Sequence, residues 1–222
     1  QVAGVRIVQF DDGNERPVRA ALFHTGSGLA FTVLLDRGMD IASASWCGRA
    51  MSWRSTTGDV APQYYEPEWT RWLRRFHGGL VATCGLMNVG APDEESALLG
   101  TGVHGRIGNI PARDLQVKQE WQGGDYVMSV TGTMRETAVF GEKLALKRTV
   151  STKLGSDAIH LHDELTNEGF NKTGFQLLYH CNFGWPAVDE GGEVLTPSRH
   201  VAPRDEDAAD GKEDWNRLEA PQ

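Results

Sequence analysis

Apolar and polar positions alternate in short runs along most of the chain, and turn residues interrupt them every few positions. Between Val18 and Arg54 the apolar runs 20–24, 29–35 and 39–46 are separated by Gly26-Ser27-Gly28 and Asp36-Arg37-Gly38, and Cys47-Gly48 closes the last of them. Runs of that length with such punctuation predict an antiparallel β-meander. Between Pro62 and Phe76 the period changes. Trp69, Trp72, Leu73 and Phe76 fall at i, i+3, i+4 and i+7, which predicts one short helix within 67–76. Gly78-Gly79 ends it, and 80–87 reads as the next strand.

A loop rich in Gly, Pro and acids follows over 88–102, and then the period of two returns. Leu115, Val117 and Trp121 share one face, Gly123-Gly124 turns the chain, and Tyr126, Met128 and Val130 continue it as a hairpin. Three more strands are expected over 144–154, 158–165 and 173–182, with Asn167-Glu168-Gly169 as a turn. Many short strands with one helix define an all-β chain, a single domain built as a large antiparallel β-sandwich with one or two short helices. The tail 204–222 carries seven acids and three bases with few large apolar residues, and reads as an exposed connection.

Composition narrows the partners. With 40% hydrophobic and 23% charged residues the chain is an ordinary packed protein, and no apolar run approaches the ~18 residues of a transmembrane helix. The net charge of −8 argues against nucleic acid and against an anionic membrane surface. Cys47, Cys84 and Cys181 are odd in number and far apart, which favours a reducing compartment and hence the cytoplasm.

The residues with chemistry are mostly histidines. His160 and His162 share one strand face at i, i+2, which suits either a metal pair or an outward polar face that also carries Glu164. In 175–182, Phe175, Leu177 and Tyr179 point one way, while Gln176, Leu178, His180 and Asn182 point the other. That second face is half apolar and half polar, as a sheet lining a wet cleft would be. His104 stands between Gly102 and Gly105, with Arg106 and Asn109 just after it. These are donors suited to hydroxyl-rich ligands on a backbone that permits close approach, or simply a structured turn. Trp69 and Trp72 with Arg71, Arg74 and Arg75 fit a stacking, anion-binding wall, or an amphipathic helix that buries its aromatics.

The segments Gly102-Val-His-Gly-Arg-Ile-Gly-Asn-Ile-Pro-Ala112 and Leu177-Leu-Tyr-His-Cys-Asn-Phe-Gly-Trp-Pro186 together resemble the aldose 1-epimerase (galactose mutarotase-like) superfamily, and within it an uncharacterised bacterial branch known as a domain of unknown function. Supporting stretches are Leu35-Asp-Arg-Gly-Met-Asp-Ile41, Gly78-Gly-Leu-Val-Ala-Thr-Cys-Gly85 and Asp163-Glu-Leu-Thr-Asn-Glu-Gly169. The resemblance implies a β-sandwich that interconverts the anomers of a monosaccharide or sugar derivative by acid/base ring opening, with no cofactor and no metal. By motif it implies that His180 is the acid for the ring oxygen and that His104 binds sugar hydroxyls. Arg106, Asn109, Arg37, Arg75, Gln176 and Asn182 complete the expected substrate-binding set.

In the superfamily the base is a glutamate on a strand well beyond the catalytic histidine. Here the acids after His180 are Asp189, Glu190, Glu193 and the tail cluster. The expectation is therefore a domain lacking its C-terminal third, with its base beyond residue 222. Two other readings remain at this stage: a non-catalytic sugar-binding sandwich, and a metal-dependent isomerase or lyase using His104, His160 or His162, and His180.

Overall fold

The alternation is realised as two antiparallel sheets in a computed structural model that describes residues 2–94 and 100–220. Along the chain run β1 (Gly4–Gln9), β2 (Arg19–His24), β3 (Leu29–Leu34), β4 (Asp40–Trp46), β5 (Arg49–Ala50), β6 (Val81–Leu86), β7 (Arg113–Gln122), β8 (Asp125–Thr137), β9 (Lys143–Lys153), β10 (His160–Asn167) and β11 (Gln176–Cys181). The larger sheet has the order β1-β2-β3-β4-β6-β11, with β5 added to β4, and the smaller has the order β10-β9-β8-β7. β1 lies ahead of the meander that the sequence pattern marks. Of the acid-rich loop, 95–99 fall outside the described residues.

The inward-facing alternate positions make the core. Phe31, Val33 and Ile41 from the larger sheet meet Met128, Val130, Met134, Leu144, Leu146 and Val150 from the smaller one, and Phe23 stacks on Phe31 at 4.5 Å. Each such side chain contributes roughly 1.5–3 kcal/mol of burial. β7 departs from its expected face: its ladder slips between Arg113 and Gln116, leaving Val117 and Trp121 exposed at 41% and 68%.

Residues 67–76 form a 3-10 turn, Arg71–Arg75, instead of an α-helix. With three residues per turn, i and i+3 eclipse, so Trp72 and Arg75 share the buried side while Trp69 and Leu73 are more than half exposed. The outer face of the larger sheet, turned away from β7–β10, is covered by the connections from β5 to β6 and from β6 to β7. There a smaller cluster gathers Val18, Ala20, Leu34, Ala42 and Ala61.

Candidate functional site

β11 alternates, and its two faces do different things. Leu177 packs on the core between the sheets, and Tyr179 points the same way. His180 lies on the outer face opposite Ala82 of β6, a residue small enough to leave room above it. Into that room comes the 102–110 loop. Gly105 forms an isolated bridge with Gly85, and a Cβ on Gly105 would sit 2.3 Å from the Gly85 carbonyl oxygen. The glycine therefore serves the approach of backbone to backbone. His104 is carried in with φ +59°, a conformation that few side-chain-bearing residues adopt. It is held by its amide on Gly90 O at 3.0 Å and by the Gly85 amide on its carbonyl at 2.9 Å. Strain kept in place by such bonding is common where a side chain is aimed for a purpose.

The rings of His104 and His180 consequently meet edge to face, centroids 5.7 Å apart. Phe76 stands edge-on to His180 at 5.3 Å, Trp72 lies against His104 at 4.8 Å and stacks on Phe76 at 4.6 Å, and Trp53 reaches Phe76 at 5.9 Å. The two histidines and Phe76 are half-buried, while Trp53 is exposed. The result is an open aromatic shelf with two imidazoles set in it.

The two imidazoles are not equivalent. The Gly90 amide donates to His104 Nδ1 at 3.2 Å, which places the neutral ring's proton on Nε2. Burial, and then the neighbouring His180, lower the pKa of His104. His180 Nδ1 is buried without a hydrogen-bond partner. Of the pair, only His104 has a ring nitrogen engaged by a main-chain amide among the described residues.

The other expected ligands divide sharply. Arg106 is exposed beside His104. Gln176, on the same face of β11 as His180, is exposed and accepts the Val89 amide at 2.9 Å. Asn182 turns back on the fold, donating to Gly79 O and His180 O at 2.9 and 3.0 Å. Arg37 does not reach the shelf: it is 3% exposed and donates to the carbonyls of Gly108, Val60 and Arg75 at 2.8, 2.5 and 3.1 Å. Arg75 is equally buried, bonded to Asn109 Oδ1 and stacked 5.1 Å from Tyr65, with burial foremost in lowering its pKa to about 10. Arg37, Arg75 and Asn109 thus lie buried beneath the shelf and not on it: Arg37 spends its donors on neighbouring loops, while Arg75 gives one bond to Asn109 and keeps its Nε and Nη1 without a partner among the described residues.

His160 and His162 project from β10 as an exposed pair beside Glu164, and no group of three potential ligands gathers around them among the described residues. Asp189 bonds Trp185 at 3.2 Å and Glu193 bonds Asn216 at 3.0 Å, both exposed. The sequence pattern did not reveal the buried ion network of Arg148 with Asp163 and Asp40, nor Glu136. That carboxyl is 1% exposed and accepts the Leu86 amide at 3.0 Å, and burial pushes it up to about 7. An arginine or a glutamate at an inward strand position is the only signal either one leaves.

Two antiparallel sheets with a shared core form a β-sandwich like that of the aldose epimerases. The chain belongs to the family described as Domain of unknown function (DUF4432), whose model matches residues 15–222. A "putative aldose 1-epimerase" from Klebsiella pneumoniae subsp. pneumoniae superposes with a TM-score of 0.91 at 26% identity, covering 98% of this chain and 57% of that one. Galactose 1-epimerase from Lactobacillus acidophilus gives 0.53 at 15% identity over 86% and 55%, a likeness of fold alone. The chain thus spans somewhat over half the length of these solved structures. No curated protein matches it. No helix among the described residues is long and apolar enough to cross a membrane.

Proposed function

We propose that the shelf binds a monosaccharide or close derivative and that the protein is an isomerase of the aldose 1-epimerase type. The observation that carries this reading is the meeting of His104 and His180 within an aromatic wall. Anomer interconversion needs an acid at the ring oxygen and a base at the C1 hydroxyl. His180, with no hydrogen bond to lose, gives the proton and retakes it. His104, held neutral with its proton on Nε2, donates to a sugar hydroxyl, and Arg106 and Gln176 flank the sugar. The exposed face of Trp53 offers a stacking surface for the apolar side of a pyranose.

No carboxylate touches either histidine among the described residues. The reading places the base on a strand that adds to the open edge of β11. The unpaired Cys47, Cys84 and Cys181 agree with a reducing compartment, and we place the protein in the cytoplasm.

The test is anomer interconversion across a panel of monosaccharides, followed by polarimetry or saturation-transfer NMR. His180→Asn is expected to lower kcat about 10²-fold or more with little change in KM, and His104→Ala to act mainly on binding. Binding without turnover, unaffected by His180→Asn, would replace this reading with that of a sugar-binding module, which the missing carboxylate contact already favours as the second choice.

A further inference from the structure

β11 carries His180 at the edge of its sheet: among the described residues its ladder runs to β6 alone. A strand paired on one side opens locally at lower cost than a central one. Nothing on the outer face compensates by gripping the imidazole. Neither of its nitrogens takes a hydrogen bond among the described residues, and its neighbours are the ring edges of Phe76 and His104. The position of the His180 ring is therefore inherited from the β11 backbone.

That backbone is fixed from the inner face, one residue earlier. The Tyr179 hydroxyl donates to Asp163 Oδ2 at 2.8 Å. Asp163, on β10, is held by a two-point grip from Arg148 of β9, Nε to Oδ1 at 2.9 Å and Nη2 to Oδ2 at 2.7 Å. The third nitrogen of Arg148 donates to Thr83 Oγ1 at 2.6 Å and to Gly38 O at 3.0 Å, and the Arg148 guanidinium lies 5.8 Å from the Tyr179 ring. Thr83 is the register partner of Tyr179 across the β6–β11 ladder. The contacts close a circuit from β11 through β10 and β9 to β6 and back, and Arg148 is wholly buried within it.

We infer that Arg148, Asp163 and Tyr179 are positioning residues for His180, an inter-sheet clamp that sets the height and tilt of the edge strand on which the imidazole rides. The inference rests on the reading of His180 as the acid. Its functional weight follows from geometry: a proton is passed only within hydrogen-bond reach, and a misplacement of about 1 Å costs up to about 10²-fold in rate. A buried charge cluster is an expensive way to gain stability alone. Here it spans both sheets at the register position beside the reactive ring. Burial, and next the bond to Asp163, push the Tyr179 phenol up to about 12, so it remains a donor throughout the working pH range.

Tyr179→Phe tests this by removing one hydroxyl and keeping the ring. In the 222-residue chain, imidazole NMR spectra are expected to show weakened proton–proton contacts from His180 to Phe76 and His104 and a displaced His180 resonance, with His24 and His200 unmoved. In turnover assays, kcat should fall about 10- to 100-fold while KM stays within about twofold. Asp163→Asn, which keeps the shape and removes the charge, serves as the second variant and should give the same pattern. Unchanged His180 contacts and shifts in a folded Tyr179→Phe protein overturn the clamp. If His180→Asn proves kinetically silent while the NMR changes appear, the positioning stands and the catalytic reading falls. If His180→Asn abolishes turnover and the Tyr179→Phe spectra are unaltered, only the clamp is lost.

Discussion

His104 and His180 stand edge to face with their ring planes at 84°, brought together by a left-handed loop residue and an edge strand that are remote in sequence. Two imidazolium ions at this separation repel, so protonation of one opposes protonation of the other. His104 is the one held neutral, by burial first and by His180 second.

His180→Asn should therefore raise the titration midpoint of His104 towards, though not up to, the ordinary histidine value, since burial remains. Nitrogen-detected NMR titration of the imidazoles reads this directly. A midpoint that does not move would mean that the two rings are electrostatically independent.

Glu136 gives a pH prediction with a definite sign. Its carboxyl titrates near 7 in the fold, against 4.5 for the free group. Between those values the folded state binds more protons than the unfolded one, so this group's contribution to stability declines as pH rises and its full cost is present above about 7. Glu136→Gln should match the parent protein near pH 4.5 and exceed it by about 3 kcal/mol at pH 8. Urea unfolding of both proteins at several pH values supplies the difference. A difference that is constant with pH would contradict the assignment.

Arg37 shows why part of the site was legible in the sequence and part was not. Short apolar runs between turn residues located β2–β4 and β6, and period-two alternation located β7–β11 and separated His180 from Tyr179, because side-chain direction along a strand is a local property. The turn and motif residues brought His104 into view. Whether an arginine faces a ligand or its own main chain depends on which carbonyls the loops present, and no spacing encodes that. Arg37 went inward for this reason, Arg75 went inward to the Asn109 side chain and the Tyr65 ring, and the 67–76 segment tightened to a 3-10 turn in which Trp72 and Arg75 share a side. Arg148 and Asp163 sit at ordinary strand positions, opposite each other on β9 and β10; their contacts with Thr83, Asp40 and Tyr179 exist only once the two sheets pack.

From the same geometry, Arg37→Met should be costly. It leaves the carbonyls of Gly108, Val60 and Arg75 without their donor, and stranded buried acceptors cost about 1–3 kcal/mol each. A loss of about 3–5 kcal/mol in chemical denaturation is expected, with sugar affinity of the remaining folded protein unchanged. A selective loss of sugar affinity at full stability would return Arg37 to the binding set.

Gly105→Ala isolates the loop that delivers His104. Gly105 has φ +69°, and an added Cβ would lie 2.3 Å from Gly85 O and 2.7 Å from Asn88 O, so the backbone must move whatever happens to the side chains. The bridge to Gly85 and the Gly85 amide bond to the His104 carbonyl are the contacts next to it, and losing them withdraws the His104 ring from His180. The Tyr179 clamp, anchored on the other face of the sheet, is untouched. The expected outcome is a protein that keeps the His180–Phe76 contact and loses the His180–His104 contact. Sugar binding should weaken about 10-fold, the equivalent of losing one hydrogen bond of about 1.4 kcal/mol. Calorimetry with the sugar identified from the panel, beside the imidazole NMR spectrum, checks both halves. Full affinity with the two histidines separated would show that His104 does not hold the ligand.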